Sequence, residues 1–197
     1  MKGLSQDFFA TDPLECAQHL IGTTLIWGRC SGVVVESEAY LTENDEACHT
    51  FKRASTRDFV ARNEPGAIYI YLNYGMHWML NLLVKGGSRS GLILIRALEP
   101  KTGIGLMKAR RGKEILRGLC SGPGKLTQAL DITNRYHEMS ICDDSRCRLL
   151  PRRTEEIAVV ADTRIGITRS ADFPWRFTLA ESPFVSVRVR NAKARLR

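Results

Sequence analysis

The chain has 197 residues, 44% of them hydrophobic, which is enough for one domain with its own core. It contains no run of the roughly 18 apolar residues that a membrane span needs, and its first residues lack the apolar stretch of a secretion signal, so we expect a cytoplasmic protein that has no contact with a membrane. Lysine and arginine outnumber aspartate and glutamate by 29 to 21, and this net charge of +8 favours nucleic acid as a partner over other classes of ligand. A basic surface that serves only solubility is the alternative.

The cysteines give no sign of a metal centre. None of the six forms a C-x-x-C pair, and a ligand set drawn from Cys48, His49, Cys142 and Cys147 lacks the spacing of known zinc sites. Reduced thiols in a cytosolic protein fit the pattern better, so we predict neither a metal nor a disulfide.

In chain order, the pattern predicts a helix and then a series of hairpins. The predicted elements are a helix over 13–22, strands over 23–27 and 32–41, an acidic loop over 42–50, irregular chain over 51–65, strands over 67–72, 77–84 and 92–100, a basic helix over 103–119, a loop entering a short helix over 120–132, loops over 133–156, strands over 157–161, 175–179 and 184–189, and a frayed basic tail over 188–197. Because the strands cluster instead of alternating with helices, we expect a single α+β domain over residues 1–197 with a curved, mostly antiparallel sheet.

The strand over 32–41 carries two carboxylates in an apolar run. Side chains alternate along a strand, so Glu36, Glu38 and Tyr40 share one face. Burying a carboxylate is costly unless it is paired or used in chemistry, and a general base in a site is one interpretation. An edge strand with a solvated acidic face is the other.

The hairpin over 67–84 carries aromatic residues. Tyr69 and Tyr71 share a face, which fits either a binding wall or a half-buried aromatic ladder. Tyr74 lies at the turn, beside Gly75, where a large exposed ring suits a wedge inserted between stacked bases.

Two further segments suggest contacts with anions. Arg96 interrupts an apolar strand and needs an anionic partner, for which Glu38 is the best candidate and Glu99 the alternative. The segment CSGPGKLTQAL (120–130) places glycines and Lys125 before a helix, as a phosphate-binding turn does, although it does not match the P-loop pattern.

Together these segments resemble the alkyladenine DNA glycosylase family, the mammalian-type 3-methyladenine DNA glycosylases, which also has bacterial members. The matching motifs are VESEAYLTENDEACH (35–49), PGAIYIYLNYGMHWMLN (65–81), IRALEP (95–100), CSGPGKLTQAL (120–130), RIGI (164–167) and SPFVSV (182–187). They follow the family order over almost the whole chain.

The resemblance implies a role for each matching residue. Glu38 would activate the attacking water, with Arg96 and a backbone carbonyl near Ile165 holding that water. The base pocket would be formed by Tyr40, His49, Tyr71, Asn81, Met76 and Ile165, with Asn81 disfavouring guanine. Tyr74 would intercalate, and Ser121, Gly122, Gly124 and Lys125 would contact a DNA phosphate.

The resemblance also implies a monomeric enzyme without cofactor or metal. Such an enzyme would act on double-stranded DNA containing damaged purines, near the bacterial nucleoid, and would form no Schiff base. The region 55–66 departs from the family, because the usual Met-Phe pair before the Pro-Gly is missing and Asp58 is present, and this affects the expected substrate range. Two hypotheses compete with this one. A non-catalytic nucleic-acid-binding module would have no need of Glu38, and a metal-dependent nucleobase deaminase would need H-x-E and P-C-x-x-C motifs, which the sequence lacks.

Overall fold

A computed structural model describes residues 2–143, 146–154, 156–189 and 195–196. The helices are α1 (Pro13–Leu20), α2 (His49–Lys52), α3 (Ala54–Arg62), α4 (Ile104–Arg111), α5 (Arg117–Cys120) and α6 (Pro123–Leu130), with 3₁₀ turns at Gln6–Phe9 and Asn134–Tyr136. The strands are β1 (Thr24–Trp27), β2 (Cys30–Leu41), β3 (Ile68–Asn73), β4 (His77–Val84), β5 (Gly91–Thr102), β6 (Cys147–Leu150), β7 (Val159–Asp162), β8 (Arg176–Leu179) and β9 (Arg195–Leu196). The predicted α+β class is confirmed.

The sheet is antiparallel in every described pair and curls into a half-barrel. Its strand order is β3-β4-β5-β2-β8-β7-β9, and β1 pairs with β2 and β6 off this path. Strand β2 pairs with β5 along one edge, and along the other it pairs first with β1 and then with β8. The acidic strand is therefore central, and the edge-strand interpretation is wrong.

Strands β2 and β5 both deviate from a regular ladder at the same place. Val34 pairs with Leu98 and Glu36 with Ala97, so Val35 is left without a partner, and the next pair skips Arg96. Bulges of this kind redirect side chains, often beside active sites. Here the irregularity lies next to the carboxylates of β2.

The helices cover the sheet and complete one main core. Asp12 caps α1 by accepting from the backbone nitrogens of Leu14 and Glu15, with Pro13 in the first turn. Helix α6 packs against β4, α4 and α5, and buried side chains from Phe9 to Phe177 form one continuous cluster.

Several predicted elements were wrong. The region 51–65 is helical over α3, whose Thr56 and Phe59 are buried although its sequence is polar overall. The predicted helix over 103–119 is split, because Gly112 ends α4 in the left-handed conformation with φ 58°. Strand β6 lies within the segment predicted as loops.

The predicted strand over 184–189 does not form. Its backbone bonds go to side chains instead of a neighbouring strand, since Ser186 N donates to Glu36 and Val187 O accepts from Arg176. In the basic tail, the backbone of 195–196 pairs with β7, so this part is not frayed, and the rest of 190–197 lies outside the described residues.

No helix in the described part of the chain is long and apolar enough to cross a membrane. All six cysteines are free thiols. Among the described residues, no group of three or more His, Cys, Asp or Glu side chains could hold a metal ion.

Candidate active site

Glu38 lies in the middle of the sheet, and none of its surface is exposed. Its Oε1 accepts from the backbone nitrogen of Ile165 at 2.7 Å, and its Oε2 accepts from the Tyr40 hydroxyl at 2.7 Å and from Arg96 Nη1 at 3.1 Å. Burial raises the pKa of Glu38, while Arg96 and the donors at Ile165 and Tyr40 oppose the rise. The carboxylate is thus held in one orientation and has a higher affinity for a proton than an ordinary glutamate.

Arg96 lies between two carboxylates of β2. Besides its bond to Glu38, it donates from Nε to Glu36 Oε1 at 3.2 Å. Glu99, the alternative partner, pairs with Lys101 instead. The predicted pairing of Arg96 with Glu38 is confirmed, and Glu36 is a second partner that sequence reasoning did not assign.

An open cavity of about 380 Å³ lies over this pair. It is lined by Tyr40, Ala47, His49, Tyr69, Tyr71, Asn73, Tyr74, Met79, Asn81, Leu92, Leu94, Arg96, Pro123, Ile165, Gly166 and Ile167. All three residues that donate to Glu38 belong to this lining, so the carboxylate lies directly behind the cavity wall. The structure therefore brings together most of the residues predicted for the base pocket.

Aromatic rings form one wall of the cavity. The rings of His49 and Tyr71 have centroids 4.2 Å apart, and His49 Nδ1 lies 3.1 Å from the Tyr69 hydroxyl, which also contacts Thr56 Oγ1 at 2.9 Å. Burial, reinforced by the charge of Arg53, lowers the pKa of His49 to about 4. His49 is therefore neutral at physiological pH and presents a flat, uncharged ring to the cavity.

Asn81 has its amide engaged with the backbone. Its Nδ2 donates to the carbonyls of Tyr69 at 3.2 Å and Met79 at 3.3 Å, and only 3% of the residue is exposed. These bonds hold the Asn81 side chain in a defined orientation on the cavity wall.

The tip of the β3–β4 hairpin extends beside the cavity. Tyr74 is 84% exposed and has φ 49°, and Gly75 follows with φ 67°. Positive φ at both central residues is the signature of a type I′ turn, which favours asparagine and glycine and penalises a large side chain. Tyrosine at this position is costly both for the backbone and for the exposed ring, which points to a role outside folding.

Met76 does not lie where the sequence placed it. It follows the turn outside the paired register, since Asn73 pairs with His77, and it is 70% exposed. It borders a separate depression with His77, Trp78 and Gly124 instead of the main cavity.

The Gly-Pro turn lies between α5 and α6, next to the cavity. Pro123 contributes to the cavity wall, and Lys125 is exposed at the start of α6. Gly122 adopts φ 149°, and a Cβ atom on Gly124 would lie 2.8 Å from His77 Cβ, so both glycines are needed where they are. Ser121 forms an isolated bridge with Ala97 of β5.

Sequence reasoning missed two buried arginines. Arg176 is 1% exposed and donates from Nε to Glu36 at 2.7 Å, and Arg164 forms a buried pair with Asp45. The signal for Arg176 was the one used for Arg96, a single arginine in an apolar strand. Arg164 is the first residue of the motif RIGI (164–167), which lies in a loop and shows no hydrophobic periodicity that would single out the arginine.

Comparison with known proteins identifies the class. A family model described as methylpurine-DNA glycosylase matches residues 7–183. Two curated relatives carry names that assign them provisionally to the 3-methyladenine DNA glycosylases. One, from Rhodopseudomonas palustris strain CGA009, is 43% identical over 93% of this chain and 87% of its own length. The other, from Nitrobacter winogradskyi, is 40% identical over 97% of this chain and 90% of its own.

The fold, the site and these matches define a DNA glycosylase, a hydrolase that acts on N-glycosyl bonds in DNA. The chain belongs to the methylpurine-DNA glycosylase family. The expected family resemblance is confirmed, and the non-catalytic binding module is not supported.

Proposed function

We propose that this enzyme flips an alkylated or deaminated purine, of the 3-methyladenine class, out of duplex DNA and hydrolyses its N-glycosidic bond with a water activated by Glu38. The observation that carries the proposal is the position of Glu38, fully buried behind the wall of an aromatic cavity and held by three hydrogen bonds. The product is an abasic site.

The cavity suits a single flipped base. Its volume of about 380 Å³ lies within the range of small-ligand pockets, roughly 300–1,000 Å³. Tyr40, His49 and Tyr71 supply ring faces on its walls, and a ring face attracts an electron-poor base by about 0.5–2 kcal/mol per contact. A base inside a duplex cannot reach such a cavity without leaving the stack.

Glu38 performs two tasks in this mechanism. A water at the cavity wall between Arg96 and Ile165 transfers a proton to Glu38 as it attacks the sugar carbon. The negative charge of the carboxylate also stabilises the positive charge that develops on the sugar as the base departs. Arg96 opposes the rise in the pKa of Glu38 and so favours its ionised form.

The charge of the leaving base determines whether its departure also needs a proton. A cationic alkylated purine departs easily, so one carboxylate is sufficient. A neutral base such as hypoxanthine departs only with a proton, and we expect the enzyme to process it more slowly.

Tyr74 and the turn before α6 are assigned to DNA handling. The exposed ring at the hairpin tip fills the gap that the flipped nucleotide leaves, which offsets part of the lost stacking. Ser121, Gly122, Gly124 and Lys125 lie beside Pro123 of the cavity wall, a position from which they contact a phosphate near the flipped nucleotide.

We propose that the enzyme acts as a monomer, as the family resemblance implies. Its net charge of +8 supports retention on nucleoid DNA through phosphate contacts.

The test is base release from duplexes that carry one defined lesion each. We expect the wild-type protein to generate abasic sites at 3-methyladenine and Glu38→Gln to reduce the single-turnover rate roughly 100-fold or more, the scale of general-base removal. Binding of Glu38→Gln to lesion DNA should remain close to wild type, because the amide preserves the shape of the side chain. Near wild-type excision of a neutral lesion by Glu38→Gln would exclude Glu38 as the base.

A further inference from the structure

Arg164 is enclosed by protein on every side, and none of its side chain is exposed. It forms a bidentate salt bridge with Asp45 through two hydrogen bonds, from Nη1 to Oδ2 at 2.6 Å and from Nη2 to Oδ1 at 2.8 Å. The same two nitrogens donate to the carbonyls of Ala39 at 2.9 Å and Ser170 at 3.0 Å. A planar guanidinium satisfies all four acceptors at once, which an ammonium group cannot do.

The flat guanidinium also lies between two aromatic rings. Its carbon is 4.6 Å from the ring centroid of Tyr40 and 5.0 Å from that of Trp175. Tyr40 belongs to the cavity wall and donates to Glu38, so Arg164 supports the ring from outside the cavity.

Asp45 organises the loop that leads to His49. Its Oδ2 accepts from Leu41 N at 3.1 Å, its Oδ1 accepts from Ala47 N at 3.1 Å, and its carbonyl accepts from Cys48 N at 3.0 Å. His49 follows directly in the chain, and its ring is part of the aromatic wall. One ion pair therefore connects the loop before His49 with the loop that contains Ile165.

We infer that the buried Arg164–Asp45 pair positions the catalytic carboxylate. The pair holds the Ile165 amide and the Tyr40 hydroxyl in place as donors to Glu38, and it joins the walls of the base cavity. Neither residue touches the base or the reacting atoms. The inference rests on the proposed function, because it assigns the pair a part in the same site.

The argument follows from the chain geometry around Glu38. Ile165 is the immediate neighbour of Arg164, and its backbone nitrogen gives Glu38 one of the three hydrogen bonds that hold it. Tyr40, whose ring contacts Arg164, gives a second bond. The third comes from Arg96, and none of the contacts described above joins Arg96 to Arg164. Loosening Arg164 therefore loosens two of the three donors.

Arg164→Lys is the decisive variant, since it keeps the charge beside Asp45 and removes the planar fork. Arg169→Lys is the matched control. Arg169 joins the same two loops through Glu46 at 2.9 Å, with both side chains about half exposed and neither on the cavity wall. Melting temperature, DNA binding and single-turnover excision are compared with wild type for both variants.

We expect Arg164→Lys to lose roughly 10- to 100-fold in the excision rate, the scale of a catalytic group displaced by a fraction of an ångström to an ångström, with lesion binding much less affected. Arg169→Lys should retain the wild-type rate. A folded Arg164→Lys that excises at the same rate as Arg169→Lys overturns the inference.

The pH profile separates positioning from a general loss of structure. The titratable groups that interact with Glu38 are Arg96, Tyr40, Glu36 and Tyr71, and those around Arg164 are Asp45, Tyr40 and Cys48. Because the Ile165 and Tyr40 bonds lower the pKa of Glu38, weakening them raises it, and the acidic limb of the excision profile should move to higher pH in Arg164→Lys. A merely less stable enzyme keeps the wild-type limb.

Asp45→Asn decides the question if Arg164→Lys does not fold. It retains the arginine and leaves one acceptor oxygen in place of two, so the same shift of the acidic limb is expected, and an unchanged limb overturns the inference. Failure of the proposed function is recognised separately, since it would appear as wild-type protein without base release or as an active Glu38→Gln.

Discussion

Glu36 and Glu38 accept hydrogen bonds from the same guanidinium, that of Arg96, on the buried face of β2. Glu36 has further partners of its own. It accepts from Arg176 Nε at 2.7 Å, from Ser186 Oγ at 2.8 Å and from Ser186 N at 2.5 Å. Arg176 Nη1 also donates to Asp162 Oδ2 at 3.1 Å, so the two buried arginines face three carboxylates, and the segment around Ser186 is bonded to the back of the site.

Glu36→Gln tests this balance. Arg96 would keep Glu38 and Arg176 would keep Asp162, but both arginines would lose an ionic acceptor in a fully buried position, so we expect a loss of about 1–3 kcal/mol in the free energy of unfolding, measured by denaturant titration. Glu36 raises the pKa of Glu38, so in the fraction that folds the acidic limb of excision should move to lower pH.

Glu99→Gln serves as the control for Glu36→Gln. Glu99 and Lys101 form a partly exposed pair on β5, for which the expected change is about 0–1 kcal/mol. Equal losses for the two variants would contradict a special role for the buried network.

On the proposed mechanism, the pH dependence of excision reports the protonation state of Glu38. The base must be ionised, and its pKa is raised by burial, so excision of a neutral lesion should fall as the pH drops through a value above that of an ordinary glutamate. Single-turnover rates from pH 4 to pH 8 measure this limb. An acidic limb at or below the ordinary glutamate value would contradict the assignment of the limb to Glu38.

His49 links stability to pH in the same direction. Its pKa is lowered from 6.5 to about 4 in the folded protein, so the unfolded chain takes up a proton first as the pH falls. Its contribution to stability is complete above pH 6.5 and is lost as the pH falls towards about 4. In His49→Gln, the free energy of unfolding should depend less steeply on pH across this window, and an unchanged slope would contradict the lowered pKa of His49.

Tyr74 is expected to act on flipping and not on hydrolysis. Tyr74→Ala should lose most activity on a well-paired lesion and little on a mispaired one, which is already partly unstacked. Tyr71→Ala, which removes part of the cavity wall, should lose activity on both. Equal losses for Tyr74→Ala in both contexts would make the tyrosine a structural residue.

The conformation of Tyr74 gives a second, independent measurement. Its positive φ is better suited to asparagine, so Tyr74→Asn should leave stability unchanged or raise it by roughly 0.5–1 kcal/mol while impairing excision of paired lesions. A marked drop in melting temperature would show that the exposed ring supports the fold.

Gly124 tests the contact between α6 and the hairpin. A Cβ atom would meet His77 Cβ and Cγ at 2.8 Å, so Gly124→Ala should displace the base of the hairpin and reduce both stability and excision. Gly105→Ala in α4 is the control, because its Cβ meets nothing within 4 Å, and we expect it to stabilise the protein by about 0.5–1 kcal/mol.

The parts of the fold that could be predicted were those with strong local signals. The hairpin around Tyr74 and the apolar strands have alternating patterns and turn residues, and Arg96 stood out because a charge in an apolar strand demands a partner. The segment 184–189 has the same alternation but is not a strand, since Glu36 and Arg176 take its backbone groups. A local pattern cannot reveal a partner that lies 150 positions away in the chain.

Helix α3 shows the opposite case. Its residues are polar overall and it lacks a side-chain cap. It is stabilised by the packing of Phe59 against Tyr69 and by the hydrogen bond between the Thr56 and Tyr69 hydroxyls. This helix occupies the region 55–66, in which the sequence led us to expect a departure from the family pattern. It lies behind the tyrosine that contacts His49, so a change of sequence in this region would act on the support of the aromatic wall.

The irregular pairing of β2 with β5 has a consequence for how the site can change. Each strand carries one extra residue, Val35 in β2 and Arg96 in β5, and the two offsets cancel, so that Val34 opposite Leu98 and Ser37 opposite Ile95 belong to the same register. Deleting either residue alone would slip the strand beyond it and exchange its two faces. Deleting both would restore an uninterrupted ladder from Gly32 to Leu41 without Arg96, so an ordinary sheet and the candidate site differ here by a matched pair of single-residue insertions.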